Sequence, residues 1–259
     1  MKGIVKGIVI GLIIIIIGAA ILIAGLALSG WKIERSDFET RTFTAEGENT
    51  ALNIEIGAGS VTTEFYDGDK VIIEYPVAKH FVSEASERDG RVYYSSKFKW
   101  YVFFGPHDVP DTLVKLPRNS AFDIDIEIDA GSVTLADGNY SEVSAEINAG
   151  TFKANAIDCA ALKCDLNAGT VNINEVACDT FDCDLSAGTI KVGKVTCNAT
   201  VIDVSAGSAK LGFAGDQSEY GISAKVSAGS CNVSGQTGTT GKTINIDVSA
   251  GSVNLDFNV

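Results

Sequence analysis

Acidic residues recur 19 positions apart through the second half of the chain, at Glu127, Glu146, Asp165, Asp184 and Asp203. Lys225 and then Asp247 continue the series in the chain. Carboxylate oxygens are the ligands that Ca²⁺ takes in proteins, so a row of them is a candidate cation site. However, one column offers few oxygens to each ion, and the Gly-Gly-x-Gly-x-Asp repeats of calcium-binding solenoids are absent from the sequence. The spacing therefore favours a solvated acidic face without a cofactor, with calcium as the alternative.

Five of the six cysteines follow the same spacing in two series, and the sixth stands apart: Cys159, Cys178 and Cys197; Cys164 and Cys183; and Cys231. Stacked at this period, neighbours in a series would have α-carbons about 4.8 Å apart, within the range of a disulfide. Parallel side chains are not ideal for that bond, so buried free thiols are favoured. Disulfides and metal or redox chemistry are the alternatives. No Cys-x-x-Cys motif supports zinc, and unpaired thiols suit a reducing or anaerobic habitat or the cytoplasm.

The two histidines and an aromatic cluster offer little catalytic chemistry. His80 and His107 have no recognisable nucleophile partner and no His-Glu-x-x-His motif. We expect part of the aromatic cluster to cover the first repeat, and the rest to form an exposed patch for a glycan, a partner or a membrane surface. The candidate contact residues are Trp100, Tyr101, Phe103 and Phe104.

These residues must be positioned by a scaffold with the same period, and regularly spaced glycines indicate that period. The phrase Ala-Gly-Ser/Thr recurs along the second half of the chain, evenly at first and slightly further apart in its last two copies, and one further copy lies upstream. Glycine adopts the positive φ of a tight turn without steric cost. The predicted turn glycines are Gly59, Gly131, Gly150, Gly169, Gly188, Gly207, Gly229 and Gly251.

Between these glycines apolar and charged residues alternate, as at Ile124, Ile126 and Ile128, which indicates strands with one buried face. A repeat this short buries its apolar face only by stacking on its neighbours. The sequence therefore predicts an all-β fold, a single-stranded parallel β-helix (β-solenoid) of 19–22-residue rungs. Each rung is expected to hold two or three short strands.

The first half of the chain is organised differently. Residues 7–28 carry no charged side chain and are long enough to cross a bilayer as a helix, so residues 1–30 are predicted to be a transmembrane signal-anchor. A linker at 31–48 follows. Residues 49–120 are expected to form an N-terminal rung and a β-hairpin cap with turns at Asp67-Gly68 and Asp89-Gly90. The β-solenoid repeats then occupy residues 121–259.

The combination of an anchor with particular strand motifs resembles the bacterial putative-adhesin β-strand-repeat family, which is related to head-GIN domain proteins. The motifs are Gly-Ala-Gly-Ser-Val at 57–61, Asp-Lys-Val-Ile-Ile-Glu-Tyr at 69–75 and Val-Lys-Leu-Pro-Arg at 114–118. The resemblance covers roughly residues 50–259. It implies a parallel β-helix at the cell envelope, and it carries no established catalytic residues.

Function follows mainly by exclusion. A net charge of −13 argues against nucleic acid as a partner, because phosphates repel an acidic surface. We expect a single-pass cell-membrane protein, held in the lipid bilayer by residues 7–28, with its C-terminal domain outside the cytoplasm. It would be non-enzymatic and would serve adhesion or interaction with an envelope protein or glycan. The alternatives are a carbohydrate-active β-helix enzyme and a cytoplasmic-facing scaffold that self-associates.

Overall fold

The structure, a computed structural model, describes residues 37–99 and 109–259, and most of their regular structure is β-strand. In chain order the strands are β1 (Glu39–Thr44), β2 (Ala51–Ile56), β3 (Ser60–Tyr66), β4 (Ile72–Val77), β5 (Phe81–Arg88), β6 (Arg91–Phe98), β7 (Thr112–Pro117), β8 (Phe122–Ile128), β9 (Ser132–Leu135), β10 (Gly138–Ile147), β11 (Thr151–Val204), β12 (Ser208–Phe213), β13 (Tyr220–Val226), β14 (Ser230–Cys231), β15 (Lys242–Val248) and β16 (Ser252–Phe257). A 3₁₀ turn at Gln217–Glu219 precedes β13.

Within residues 37–99 and 109–259, no helix has the length and apolar character needed to span a membrane. The anchor predicted at residues 7–28 lies outside the described residues.

Strands β8 to β12 stack as parallel rungs in the predicted register. Glu146 of β10 pairs with Asp165 of β11, its counterpart in the next repeat. After the Ala-Gly corner, Thr189 of β11 pairs with Ser208 of β12, which is again its counterpart one repeat further on. Strand β11 continues unbroken for 54 residues, because ladder hydrogen bonds persist around its corners. The expectation of two or three short strands per rung is therefore wrong for this part of the chain.

The interior of the stack consists of apolar columns with one residue from each rung. One column is at most 4% exposed along its length and comprises Ile54, Ile126, Ala145, Cys164, Cys183, Ile202 and Ile246. Side chains on a strand alternate between its two faces, so the residues between these face water. Burying each large aliphatic side chain contributes about 1.5–3 kcal/mol, and this burial holds the rungs together.

At the N-terminal end, the first rung in the sequence is not the outermost rung in space. Ile54 of β2 pairs with Tyr94 of β6 on one side and with Ile126 of β8 on the other. Likewise β3 lies between β7 and β9. Strands β5 and β4 add antiparallel to β6 and β7, and β1 adds to β4. Strands β4, β5, β6 and β7 therefore cover the side of the first rung that faces away from β8 and β9.

The C-terminal end has the same kind of reversal. Strand β15 pairs with the end of β11 on one side and with β13 on the other, and β16 lies between β12 and β14. In space, the last rung of the sequence, formed by β15 and β16, thus lies between the rung of β12 and the rung of β13 and β14. Outside β13, Gln236 and Ile222 exchange two backbone hydrogen bonds of 2.9 Å. The loop from β14 to β15 therefore covers the exposed edge.

Candidate functional site

The five predicted carboxylates form a single column on the outer face of the stack. Register places Glu127 opposite Glu146, and Glu146 opposite Asp165. Asp165, Asp184 and Asp203 then line one open cavity of about 460 Å³. One acidic side chain from each rung thus occurs at the same position, as the repeat spacing indicated.

Two further carboxylates extend this column. Glu55 pairs with Glu127, and Asp247 pairs directly with Asp203. Glu55 was not predicted from the repeat, and the sequence order places Lys225 before Asp247. The signal for Glu55 was present, because it precedes its corner glycine by the same interval as Glu127 does. We call the complete set the acidic column: Glu55, Glu127, Glu146, Asp165, Asp184, Asp203 and Asp247.

Stacking like charges disfavours their ionised form. Partial burial raises the pKa of Glu127, and the charges of Asp129 and Glu55 raise it further. Partial burial also raises the pKa of Asp203, with the charge of Asp184 as the next contribution. Both shifts have the sign expected for carboxylates that lose solvent and face one another.

Two lysines offset part of the charge. Lys163 Nζ lies 2.8 Å from Asp165 Oδ2, and Lys225 Nζ lies 2.8 Å from Asp247 Oδ2. The hydrogen bond to its carboxylate raises the pKa of each lysine. Lys225 occupies the rung position beyond Asp247, so a positive charge ends the acidic column at this side.

A ladder of amide side chains runs beside the acidic column. Asn148 Nδ2 donates to Asp129 Oδ1 at 3.0 Å, and Asn167 Nδ2 donates to Asn148 Oδ1 at 2.8 Å. These residues lie two positions after the carboxylates of their own rungs, on the same outward face. Hydrogen bonds between rungs therefore fix the polar surface around the acidic column.

The geometry does not favour the calcium alternative. In the described part of the chain, no three His, Cys, Asp or Glu side chains are grouped so that they could hold one metal ion. The open cavity on this face is lined by Glu146, Asp165, Asp182, Asp184 and Asp203, two of which, Asp182 and Asp184, come from one rung. No three of these carboxylates converge on one point, whereas Ca²⁺ takes six to eight oxygen ligands. The column instead presents a row of separate negative charges at the rung spacing.

The predicted turn glycines lie at the corners between ladders, and most are in close contact with the neighbouring rung. A Cβ on Gly150 would lie 2.4 Å from Ile128 Cγ2, and one on Gly169 would lie 2.3 Å from Gly150 O. Gly59 differs, because its φ of +101° rather than crowding calls for glycine. Positive φ therefore explains why some corners need glycine, and close approach of the neighbouring rung explains why the others do.

Of the other candidates, His107 and the four aromatic residues Trp100, Tyr101, Phe103 and Phe104 lie outside the described residues. His80 is half-buried in the turn before β5. A second open cavity, of about 550 Å³, lies beyond the ends of β3 and β7 and was not singled out from sequence. In it Arg118 Nε lies 3.5 Å from Asp67 Oδ1, and both side chains are largely exposed.

Comparison with known proteins identifies a family. Residues 49–259 match the family model described as Toastrack DUF4097. No curated protein matches significantly in sequence.

Several solved structures resemble the chain over most of its length. A putative adhesin from Parabacteroides merdae is 15% identical, with a TM-score of 0.48 and coverage of 85% of this chain and 96% of that chain. A putative cell adhesion protein from Clostridium sporogenes is 14% identical, with a TM-score of 0.34 and coverage of 86% and 99%. A putative lipid binding protein from Parabacteroides distasonis is 15% identical, with a TM-score of 0.41 and coverage of 86% and 94%. At these TM-scores no residue role is transferred.

Proposed function

Because the chain belongs to the Toastrack DUF4097 family through residues 49–259, we propose that it is a non-enzymatic, membrane-anchored envelope protein. Its solenoid would present the acidic column as an interaction surface for adhesion or assembly at the envelope. The observation that carries this proposal is the alignment of seven carboxylates on consecutive rungs of one hydrogen-bonded sheet.

The regular spacing of the acidic column suits a partner with repeated positive charge. Rungs of parallel sheet are about 4.8 Å apart, and the ladder holds them at that distance. A basic protein segment, or an amino-bearing envelope glycan, can therefore meet several carboxylates without ordering them first. Pre-organisation of this kind lowers the entropic cost of binding, and complementary charge speeds association.

The equivalence of the carboxylates supports a binding role rather than catalysis. Glycoside hydrolysis uses two carboxyl groups with different environments, one protonated and one ionised. Here successive rungs repeat a similar environment, and raised pKa values occur at two separated members of the acidic column, Glu127 and Asp203. No pair stands out as an acid and a base.

One observation supports a membrane anchor, and a second supports a location outside the cytoplasm. The uncharged segment 7–28 is long enough to anchor the chain in a bilayer. Cys178 and Cys197 form a disulfide, and such bonds persist mainly in oxidising compartments. The observation on the side of the cytoplasmic-scaffold alternative is the four free cysteines, Cys159, Cys164, Cys183 and Cys231.

A binding experiment on full-length protein in detergent micelles tests the proposed surface. The probe is the isolated cell envelope of the producing organism, and bound protein is measured by sedimentation at two salt concentrations. We expect the variant E127Q/E146Q/D165N/D184N/D203N to bind at least about tenfold more weakly, because charge complementarity is lost. The matched control removes five exposed charges elsewhere: E39Q/E84Q/D89N/D111N/D158N.

Equal weakening by both variants would show that net charge alone matters and would reject the acidic column as the surface. Location is tested separately by adding protease to intact and to lysed cells and probing with an antibody to residues 121–259. Loss of the domain from intact cells is the expected result. Protection until lysis would reject the envelope assignment.

A further inference from the structure

Three cysteines stand in consecutive rungs, yet the disulfide uses two of them. Cys178 and Cys197 are bonded with their α-carbons 4.8 Å apart, and Cys159 is a buried free thiol. Cys178 belongs to the middle rung of the three, so it has a cysteine one rung away on each side. No role in the proposed binding surface involves this group.

The register on the unbonded side matches that on the bonded side. Thr170 N donates to Gly150 O at 2.9 Å, and Asn174 Nδ2 donates to Asn155 Oδ1 at 2.8 Å, both between one rung and the next. Cys159 and Cys178 follow Asn155 and Asn174 at the same interval in the same continuous strand, β11. Adjacent strands of a parallel ladder lie about 4.8 Å apart, which is within the α-carbon range of a disulfide.

We propose that Cys159, Cys178 and Cys197 form a thiol–disulfide exchange site in which Cys178 bonds to either neighbour. The thiolate of Cys159 attacks Cys178 Sγ, the bond between Cys178 and Cys197 breaks, and a bond between Cys159 and Cys178 forms. Cys197 leaves as a thiolate and takes up the proton that Cys159 lost. One disulfide and one thiol are present before and after, so the step needs no oxidant or reductant.

Burial makes exchange among the three sulfurs slow, while the partly exposed Cys178 remains accessible from the surface. Cys178 is half-buried, whereas Cys159 and Cys197 are 6% and 3% exposed. Burial raises the pKa of the Cys159 thiol to about 12, and only the thiolate attacks a disulfide. Exchange at neutral pH is therefore slow, and acid stops it because it protonates the remaining thiolate.

The second cysteine column gives an internal comparison. Cys164 and Cys183 are also one rung apart, and both are buried free thiols. This column has two members, since Ala145 and Ile202 occupy its adjoining rungs. A bond formed there would have no third thiol with which to exchange, so C164S and C183S serve as matched controls.

The test is a linkage map of full-length protein in detergent micelles after equilibration with a small amount of reduced glutathione and alkylation in acid. Trypsin separates residues 154–163, 164–191 and 195–210, which hold Cys159, Cys178 and Cys197 in three different peptides. Fragmentation of peptide 164–191 distinguishes Cys178 from its other cysteines. We expect both linkages to Cys178 in the wild-type protein.

Variants make the expectation sharper. C197S lacks the starting disulfide, so it is equilibrated with a mixture of reduced and oxidised glutathione; the oxidised glutathione takes up two electrons and two protons as Cys159 and Cys178 become linked. In C159S the linkage stays between Cys178 and Cys197, and in C178S no linkage forms within the column. The controls C164S and C183S leave both wild-type linkages in place. The proposal is overturned if equilibrated wild-type protein yields no Cys159–Cys178 linkage, a readout that needs no variant to fold. A Cys159–Cys197 bond in C178S would also overturn it, because those residues are two rungs apart.

Discussion

At the residue scale, the corner glycines are needed because backbones approach each other there. The carbonyl of Gly131 accepts a hydrogen bond from Thr151 N at 3.0 Å, which draws the corner of one rung onto the next. A Cβ on Gly150 would lie 2.8 Å from that carbonyl and 2.4 Å from Ile128 Cγ2. The repeated Ala-Gly-Ser/Thr phrase is therefore explained by close contact between rungs as well as by the turn.

Replacing Gly150 with alanine tests this account. We expect Gly150→Ala to lower the free energy of unfolding by about 1–3 kcal/mol, the usual cost of overpacking, as measured by urea denaturation. The control is Gly221→Ala, where the nearest atoms to a new Cβ are 3.6 Å away. That change should be neutral or slightly stabilising, and equal losses in both variants would contradict the argument.

A buried hydroxyl inside the stack gives a second test at this scale. Thr200 is fully buried, and its Oγ1 has no hydrogen-bond partner among the residues that the structure describes. Thr200→Val keeps the shape and removes the unpaired group, so stability should rise by about 1 kcal/mol. In contrast, Thr112 Oγ1 lies 2.7 Å from the buried Tyr94 OH. Thr112→Val should therefore lower stability, and thermal unfolding of the two variants distinguishes the cases.

At the scale of the elements, the acidic column links stability to pH. The pKa values of Glu127 and Asp203 are raised in the folded state, so these two groups bind more protons in the folded protein than in the unfolded chain. Their contribution to stability is fully present below the ordinary carboxyl pKa, near about 4, and is lost as pH rises through the raised values. The acidic column therefore opposes folding most at neutral pH.

The double variant E127Q/D203N should reveal this dependence. We expect the stability of wild type minus that of the variant to fall as pH rises from about 4 to about 7. Glu87→Gln is the control of opposite sign, because Asn49 and the backbone N–H of Glu46 lower the pKa of Glu87. The stability of wild type minus that of Glu87→Gln should fall as the solution is acidified. Chemical denaturation from about pH 2 to about pH 7 measures both, because the lowered pKa of Glu87 lies below its ordinary value of about 4. Parallel curves for all three proteins would contradict the assignment.

At the scale of the whole molecule, both ends of the stack close by reversing the order of rungs. Strand β2 lies between β6 and β8, and β15 lies between β11 and β13. The ladder partner of β13 within the described residues is β15. Residues 220–231 therefore depend on a rung that comes later in the chain. The last rung therefore holds the penultimate one in place.

Truncation after Gly241 tests this dependence. If rungs stacked in chain order, β13 would keep its pairing with the end of β11. With the observed order, we expect residues 220–231 to lose their amide protection, because β13 and β14 lose β15 and β16. Hydrogen exchange with mass spectrometry measures this. A control with two residues inserted after Gly241 should keep protection, since a slightly longer loop costs little, and retained protection in the truncated protein would contradict the observed order.

The sequence alone indicated most of the local structure. Alternation of apolar and charged residues fixed which side chains face inward, because successive Cβ atoms on a strand point to opposite faces. The even repeat period fixed the rung and brought Glu127, Glu146 and Asp165 into one column. The inward faces and the rung period both follow from the local geometry of a strand, so they can be read from the sequence without knowing which strands pair.

Only the tertiary structure decided which rungs are neighbours at the ends and which cysteines are bonded. The last two repeats, at Lys225 and Asp247, carry the same inward and outward pattern, so either could follow Asp203. The structure places Asp247 there and leaves Lys225 to end the acidic column. Likewise, Cys178 has equivalent neighbours by spacing and bonds to one of them. Repeats that share a pattern do not specify their pairing, because that choice depends on contacts between distant parts of the chain.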